Sequence, residues 1–503
     1  MDLQDPHPSS PLHVVCKTLE GPVMDVLWQR QKYLHIILRT LPADCWIVTD
    51  RVYVSENISR PSKPLISPTF QHVTKTPTTN EWERFRTYAA RVVELFVGKL
   101  YSGKVSSEAI SFLGMRSILD PLWPRLTSLR LTGGLGWDAV LSTLTFLSPK
   151  TTNLTLILPQ DSNTLLQPAL SIASNRCHSL QELVLEIVVG DSNSSHGVGE
   201  LLSACRGTLR ILEIRSPFKV EYLSIIASLP YLRSLRLEEV DYPCDLPSNA
   251  FLNLEEVVIL RFRGQRLQDF FKRLCTTRLK AVNIHGASDA IAFKESVAAL
   301  SRSSASLMAL KVTNVANLDL PNVVVPRLFF ANLRYLRVGC PCWREDVHGP
   351  CAFQPTDQAI TELGVAMPNI IHLTLGSPTC LTPPCATFMS LVSLSKTCQD
   401  LETLVIGVDF QTMVAPSIDG NRDIETGATF YGTQGNPCKL RTLILGPSTL
   451  PDHPESGWIV ATGLGRIFPS LSELAGYGLD RDKWEKVGRS IRMIRRVLRT
   501  VQQ

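Results

Sequence analysis

The sequence of 503 residues lacks any apolar run approaching the roughly 20 residues that a transmembrane helix needs. Its first residues, MDLQD, also lack a basic segment followed by an apolar one, so we expect no secretory signal. The thirteen cysteines are scattered and odd in number, which favours reduced thiols over a disulfide framework. We therefore expect a cytoplasmic or nuclear protein with no membrane partner.

An excess of basic charge is missing from most of the chain. The net charge is only +5, and residues 481–503 hold eight Lys or Arg against two acids, so the remainder sums to about −1. A nucleic-acid-binding face normally spreads basic charge over its surface, so we expect no nucleic-acid partner. Residues 481–503 are predicted to form a basic amphipathic helix, interpreted as a terminal cap, with a membrane or nucleic-acid contact as the alternative.

Catalytic and metal-binding motifs are incomplete. No two histidines are four residues apart, and Gly-x-Ser-x-Gly is absent. Gly98–Lys104 matches a phosphate-binding loop, but Val105 stands where that motif needs Ser or Thr to ligate magnesium. The insertion Cys340–Cys351 could offer zinc ligands, yet the Cys-Pro-Cys spacing at Cys340 is unfavourable. We therefore expect no enzyme activity, no metal and no cofactor, and assign no role to this insertion.

What the sequence does contain is a recurring six-residue motif with Leu, Ile or Val at positions 1, 4 and 6, which we call the phrase. Its copies start 22 to 39 residues apart, and most intervals fit the roughly 20–29 residues of leucine-rich repeats. The copies begin at Leu126, Thr151 (degenerate), Leu180, Leu209, Leu232, Leu254, Leu279, Leu307, Leu333, Ile370, Leu401, Leu440 and Leu471.

The fold class follows from this phrase and from what separates its copies. Positions 4 and 6 alternate as in a strand with one buried face, and the segments between phrases have helical patterns, as in Arg266–Leu274. The phrases predict an α/β leucine-rich-repeat solenoid over residues 120–480, a curved parallel sheet inside and helices outside. A doubly wound α/β enzyme is the alternative, but its strands are continuous apolar runs without a fixed phrase.

The front of the chain carries a family resemblance. The matching residues are Val15, Cys16, Pro22, Asp25, Leu27, Trp28, Gln31, Leu41, Pro42, Asp44 and Trp46, followed by the segment 81–92, EWERFRTYAARV. In this order they resemble the F-box/leucine-rich-repeat family of mushroom-forming (basidiomycete) fungi. Since Met1–Leu12 has no leading F-box helix, we expect a truncated F-box.

The resemblance implies a substrate-recognition subunit of an SCF-type ubiquitin ligase that docks to the small cullin-ligase adaptor through its N-terminal helices. The alternative is a leucine-rich-repeat interaction protein unrelated to ubiquitination, in which Val15–Leu41 only caps the array. We expect remnant F-box-like helices and a cap over residues 1–55, a Pro/Ser/Thr-rich loop over 56–80, and a helical lead-in over 81–119.

The predicted partner surface is the concave face of the sheet. It is formed by residues between and just after positions 4 and 6 of each phrase, which alternate away from the core. A mixed-charge, Arg-rich set of this kind suits protein recognition. The candidate partner-binding residues are Arg130, Glu213, Arg215, Arg236, Glu238, Asn283, His285, Lys311 and Arg337.

Overall fold

The chain divides into two compact units, Met1–Leu232 and Arg233–Gln503, which are described separately. The computed structural model describes residues 17–31, 34–53, 65–98, 105–158, 163–187, 195–218, 220–240, 246–247, 250–262, 266–274, 276–286, 290–300, 305–313, 330–339, 353–378, 380, 382–413, 437–451, 453, 455–477 and 481–502.

The first unit begins with helices and a hairpin. Its elements are α1 (Lys17–Gln29), β1 (Arg30–Gln31), α2 (Leu34–Leu38), β2 (Trp46–Tyr53), β3 (Leu65–Val73) and α3 (Thr79–Ala89). Helix α3 starts with a capping box, in which the Thr78 side chain accepts from Glu81 N and the Glu81 side chain accepts from Thr78 N. All but the first two residues of this helix lie in the segment 81–119, which was predicted to be helical.

Strand β3 departs from the predicted loop over residues 56–80. It pairs antiparallel with β2, from Trp46 opposite Val73 to Tyr53 opposite Leu65. The segment is rich in β-branched and aromatic residues, which favour strands, and its Pro68 is tolerated because both strands of a two-stranded sheet are edges. The prolines had indicated a loop, whereas pairing with β2 decides the structure.

The rest of the first unit alternates parallel strands and helices. Strand β4 pairs with β1 on one side and β5 on the other, and the order continues to β8. The elements are β4 (Glu94–Gly98), α4 (Ser107–Leu119), β5 (Ser128–Thr132), α5 (Trp137–Leu144), β6 (Asn153–Ile157), α6 (Leu166–Arg176), β7 (Glu182–Glu186), α7 (Ser195–Ala204), β8 (Ile211–Phe218) and α8 (Val220–Ala227).

The parallel sheet therefore starts earlier than the predicted residue 120. Strand β4 lies within the segment predicted as a helical lead-in, and it pairs in register with β5, Leu95 opposite Leu129. Val92, Leu95 and Val97 occupy phrase positions 1, 4 and 6, and all three are fully buried. This copy of the phrase is a repeat that the sequence interpretation missed.

The second unit continues the same alternation with parallel strands in chain order. Its elements are β9 (Ser234–Val240), β10 (Glu256–Phe262), α9 (Arg266–Arg273), β11 (Ala281–His285), α10 (Ala290–Leu300), β12 (Ala309–Thr313), β13 (Tyr335–Gly339), α11 (Asp357–Ala366), β14 (His372–Leu375), α12 (Phe388–Thr397), β15 (Thr403–Ile406), β16 (Thr442–Leu445), α13 (Ser456–Ile467), β17 (Glu473–Gly476) and α14 (Arg481–Gln502).

Each unit has a core built from the phrase positions. In the second unit Leu235 lies opposite Val257, and Leu310 lies opposite Leu336, so position 4 forms a continuous apolar row. These side chains are almost completely excluded from solvent. The predicted α/β solenoid and the inward direction of the phrase are confirmed.

Hydroxyl and thiol donors join successive repeats just before the strands begin. Thr208 Oγ1 donates to Leu180 O at 2.7 Å, and Thr276 Oγ1 donates to Leu254 O at 3.0 Å. Thiols take a similar role where Cys205 Sγ lies 3.2 Å from Cys177 O and Cys438 Sγ lies 3.3 Å from Cys398 O. Buried carbonyls need such partners, so these side chains stabilise the stacking of neighbouring repeats.

The buried thiols should be unreactive in the folded chain. Burial raises the pKa of Cys177 and Cys205 to about 12, and that of Cys398 and Cys438 to about 11. Because the thiolate is the reactive form, alkylation at pH 8 should reach these four positions only after unfolding, whereas exposed Cys385 should react at once. Residue-resolved mass spectrometry of the alkylated chain, with and without denaturant, measures this difference. Equal labelling of Cys205 and Cys385 in the native chain would contradict it.

Candidate partner-binding surface

The residues between phrase positions 4 and 6 form one row in each unit, on the sheet face opposite the core. Strand pairing places neighbours of the row opposite one another. In the first unit the row is Phe96, Arg130, Thr155, Val184 and Glu213; in the second it is Arg236, Val258, Asn283, Lys311, Arg337, Thr374, Val405 and Ile444. The predicted row therefore exists in both units, with side chains spaced about 4.8 Å per strand.

In the first unit the charged side chains of this face contact one another. Arg130 lies over the Phe96 ring at 5.1 Å, a cation–π contact on neighbouring strands. Arg215 Nε lies 2.6 Å from Glu213 Oε1, and its Nη1 lies 3.8 Å from Glu186 Oε2. Arg215 is therefore held between two carboxylates, and an anionic partner would have to compete with them.

In the second unit the row is basic. Arg236, Lys311 and Arg337 lie on β9, β12 and β13, Arg337 exposed and the other two half-buried. Burial lowers the pKa of Lys311, and the positive charges of Arg337 and Arg236 lower it further. Arg337 acts on Lys311 from the neighbouring strand, and Arg236 acts from three strands away. The row concentrates positive potential on one patch of a rigid sheet.

The second column of candidates lies two residues beyond the row, after the core residue at position 6, and holds Arg215, Glu238 and His285. Glu238 pairs with Arg261 Nη2 at 3.4 Å, and His285 Nδ1 lies 2.7 Å from Thr313 Oγ1. Further along this column the residues become glycines, among them Gly376, whose φ of +89° favours glycine. The later strands thus offer a smoother surface, with Thr374, Val405 and Ile444 in the row.

The front of the first unit holds contacts that the sequence did not indicate. Asp25 of α1 pairs with Arg91 Nη1 at 2.7 Å and with Arg125 Nη1 at 3.4 Å, and Arg91 Nη1 also donates to Gly21 O. Helix α1 is therefore fixed to the start of the sheet. Its Val26 and Leu27 are exposed, Val26 by 73%. These two neighbouring apolar side chains are accessible to a partner.

Two weaker sequence candidates fall outside the described residues. The insertion Cys340–Cys351 lies there entirely, as do residues 99–104 of the sequence that resembles a phosphate-binding loop. Within the described part of the chain no group of three or more His, Cys, Asp or Glu could hold a metal ion. In the same part no helix is long and apolar enough to cross a membrane.

Comparison with known proteins adds no argument about the fold or the function of this chain. No protein-family model matches the chain, and no curated protein matches it. Among solved structures the chain is similar to a chain in the crystal structure of the Rad7 and Elc1 complex in yeast. That match has 15% sequence identity and a TM-score of 0.32, and it covers 78% of this chain and 77% of that one. A TM-score of this size carries no argument about function.

Proposed function

We propose that the chain is a protein-recognition scaffold that carries out no catalysis and binds its partner on the exposed face of the parallel sheet. The observation that carries this proposal is the row Arg236–Arg337, whose strands are fixed on their other face by the core. Rigid strands hold recognition side chains at set spacings, which reduces the entropy lost on binding. Arginines on such a surface are frequent hot spots of protein interfaces.

We propose further that the scaffold is a substrate-recognition subunit of an SCF-type ubiquitin ligase, acting in the cytoplasm or nucleus. The resemblance of residues 15–46 to the F-box/leucine-rich-repeat family supports this link. So does α1, which presents Val26 and Leu27 to solvent while Asp25 fixes the helix to the sheet. In this proposal the exposed patch of α1 contacts the small adaptor of the cullin ligase, and the sheet binds the substrate.

A second candidate is a leucine-rich-repeat interaction protein without any link to ubiquitin. The contacts that hold α1 favour this second candidate, because a helix that only covers the end of the array would make the same contacts. Trp28 packs on Tyr88 with ring centroids 4.7 Å apart, and Arg91 binds both Gly21 O and Asp25. A solenoid needs its open end covered, and α1 can do this without any adaptor.

One affinity purification with two variants separates these functions. From cells that make the tagged chain, wild type should retain both a substrate and cullin-ligase components, identified by mass spectrometry. Val26→Asp with Leu27→Asp should lose only the ligase components, because a carboxylate disfavours an apolar contact. Arg236→Ala with Arg337→Ala should lose only the substrate, by about tenfold or more in affinity.

The matched control is Arg489→Ala with Arg492→Ala, which removes the same charge from exposed positions on α14. Absence of ligase components from the wild-type sample, with the substrate retained, would support the second candidate. Retention of the substrate by the Arg236/Arg337 variant would contradict the sheet-face proposal.

A further inference from the structure

A shallow depression of about 540 Å³ lies at the edge of the second unit where strands β10 to β13 begin. We call it the edge groove, defined by Glu255, Arg278, Lys280, Met308, Asn332 and Arg334. These residues precede the strands, so they belong neither to the core nor to the sheet-face row. The groove is therefore separate from the surface described above.

Backbone hydrogen bonds give the groove a regular floor. Lys280 N donates to Glu255 O at 2.7 Å, Met308 N to Lys280 O at 2.8 Å, and Arg334 N to Met308 O at 2.9 Å. Each of these hydrogen bonds joins neighbouring strands, so the backbones of Lys280 and Arg334 lie two strand spacings, about 9.6 Å, apart. Met308 lies between them. The side chains of all three are exposed, Met308 by 39%.

Positive charge exceeds negative charge along the groove. Among the described residues that line it, Glu255 is the one carboxylate, against Arg278, Lys280 and Arg334. Lys280 Nζ lies 2.7 Å from Glu255 Oε2, and Arg233 Nη1 lies 3.9 Å from Glu255 Oε1. The hydrogen bond from Lys280, followed by the charges of Lys280, Arg233 and Arg278, lowers the pKa of Glu255. This carboxylate is paired with Lys280 and Arg233 and is also influenced by the charge of Arg278, so one carboxylate faces several cations and the groove keeps a net positive charge.

We propose that the edge groove is a second docking surface, which binds an acidic peptide segment of a partner protein. Carboxylates of the peptide pair with the arginines, whose planar guanidinium groups suit bidentate contacts to carboxylates. An apolar side chain of the peptide covers Met308. A polyproline II segment matches the separation of Lys280 and Arg334, because its side chains i and i+3 lie on one edge about 9.3 Å apart. Arg278 lines the groove two residues before Lys280.

The probe is a fluorescein-labelled peptide in which Glu-Pro-Leu-Glu is flanked by Gly-Ser segments, titrated with the full chain and followed by anisotropy. We expect saturable binding that weakens as salt rises, and at least about tenfold weaker binding by Arg278→Ala with Arg334→Ala. A peptide with Gln in place of both Glu residues should bind at least tenfold more weakly. Arg278 Nη1 also donates to Asn253 Oδ1, so replacing Arg278 removes a hydrogen bond of the folded chain. The single variant Arg334→Gln, which keeps that bond, is therefore tested as well, and thermal melting checks that both variants are folded.

Two charge-matched controls keep the test specific. Arg489→Ala with Arg492→Ala should bind the probe as wild type does, and so should Arg236→Ala with Arg337→Ala on the sheet face. The second control also separates this proposal from the proposed function, which depends on the sheet face. The proposal is wrong if the peptide shows no saturable binding, or if the groove and control variants lose the same amount of affinity for it. It is also wrong if a poly-uridine strand binds as tightly as the peptide and its affinity is unchanged in the groove variants.

Discussion

Replacing Leu235 or Leu336 by aspartate is expected to lower the melting temperature of the chain by about 10 °C or more. Both side chains are fully buried, at position 4 of the phrase on β9 and β13. Each substitution puts an unpaired carboxylate into an apolar row, at a cost of several kcal/mol. For a unit of this size, 1 kcal/mol shifts the melting temperature by about 2–4 °C. Differential scanning calorimetry measures the shift.

The matched control is Arg236→Asp. It introduces the same side chain at the position that follows Leu235, on the opposite face of the same strand. Since Arg236 belongs to the solvent-side row, this variant should shift the melting temperature by far less than Leu235→Asp does. Similar shifts for the two variants would show that the strand faces had been assigned wrongly. A shift below two degrees for both leucine variants would contradict the packed core.

The strands were predictable because the apolar positions of the phrase are the positions that the fold buries. Positions 1, 4 and 6 must be apolar wherever a strand and the turn before it face the core, so the copies from Leu126 onward located strands β5 to β17. The same rule applied to Val92, Leu95 and Val97 would have located β4. That copy was missed because the run Val92–Val97 is apolar almost throughout, which hides the alternation.

The β2–β3 hairpin and the side-chain hydrogen bonds to carbonyls of the preceding repeat could not be predicted in the same way. Strand β3 depends on pairing with β2, and Pro68 gives a local signal against a strand. The bond from Thr276 Oγ1 to Leu254 O joins residues from two repeats of different length, so sequence spacing alone does not align them. Both features are decided by contacts between segments rather than by local propensity.

The candidate surface was predictable in position but not in electrostatics. Alternation along each strand placed Arg236, Lys311 and Arg337 on the solvent side, and the strand register aligned them. Side-chain conformation then decides which charges neutralise each other, as where Arg215 lies between Glu213 and Glu186. The edge groove was not predicted because Glu255, Lys280, Met308 and Arg334 stand at position 2 of the phrase, which has no fixed residue type.

Trp484→Ala is expected to destabilise the end of the second unit by about 3–5 kcal/mol and to release helix α14. Trp484 is fully buried, packs against Phe410 with ring centroids 5.1 Å apart, and donates from Nε1 to Ser448 O at 3.0 Å. Its ring also fills the space beside Gly476, where an added Cβ would collide with it. Hydrogen exchange across Arg481–Gln502 should increase, because the largest buried side chain of the helix is lost and only smaller ones, Val487 and Ile491, remain buried near it.

This result distinguishes the two interpretations of the basic C-terminal segment. A terminal cap is stabilised by its apolar face, so Arg492→Ser with Arg496→Ser, which changes only exposed positions, should leave both the melting temperature and the exchange unchanged. A helix whose role lies in its basic face should instead lose binding to anionic vesicles in the arginine variant. If Trp484→Ala neither lowers the melting temperature nor speeds exchange in α14, the helix is not a cap, because covering the last strand is what a cap does.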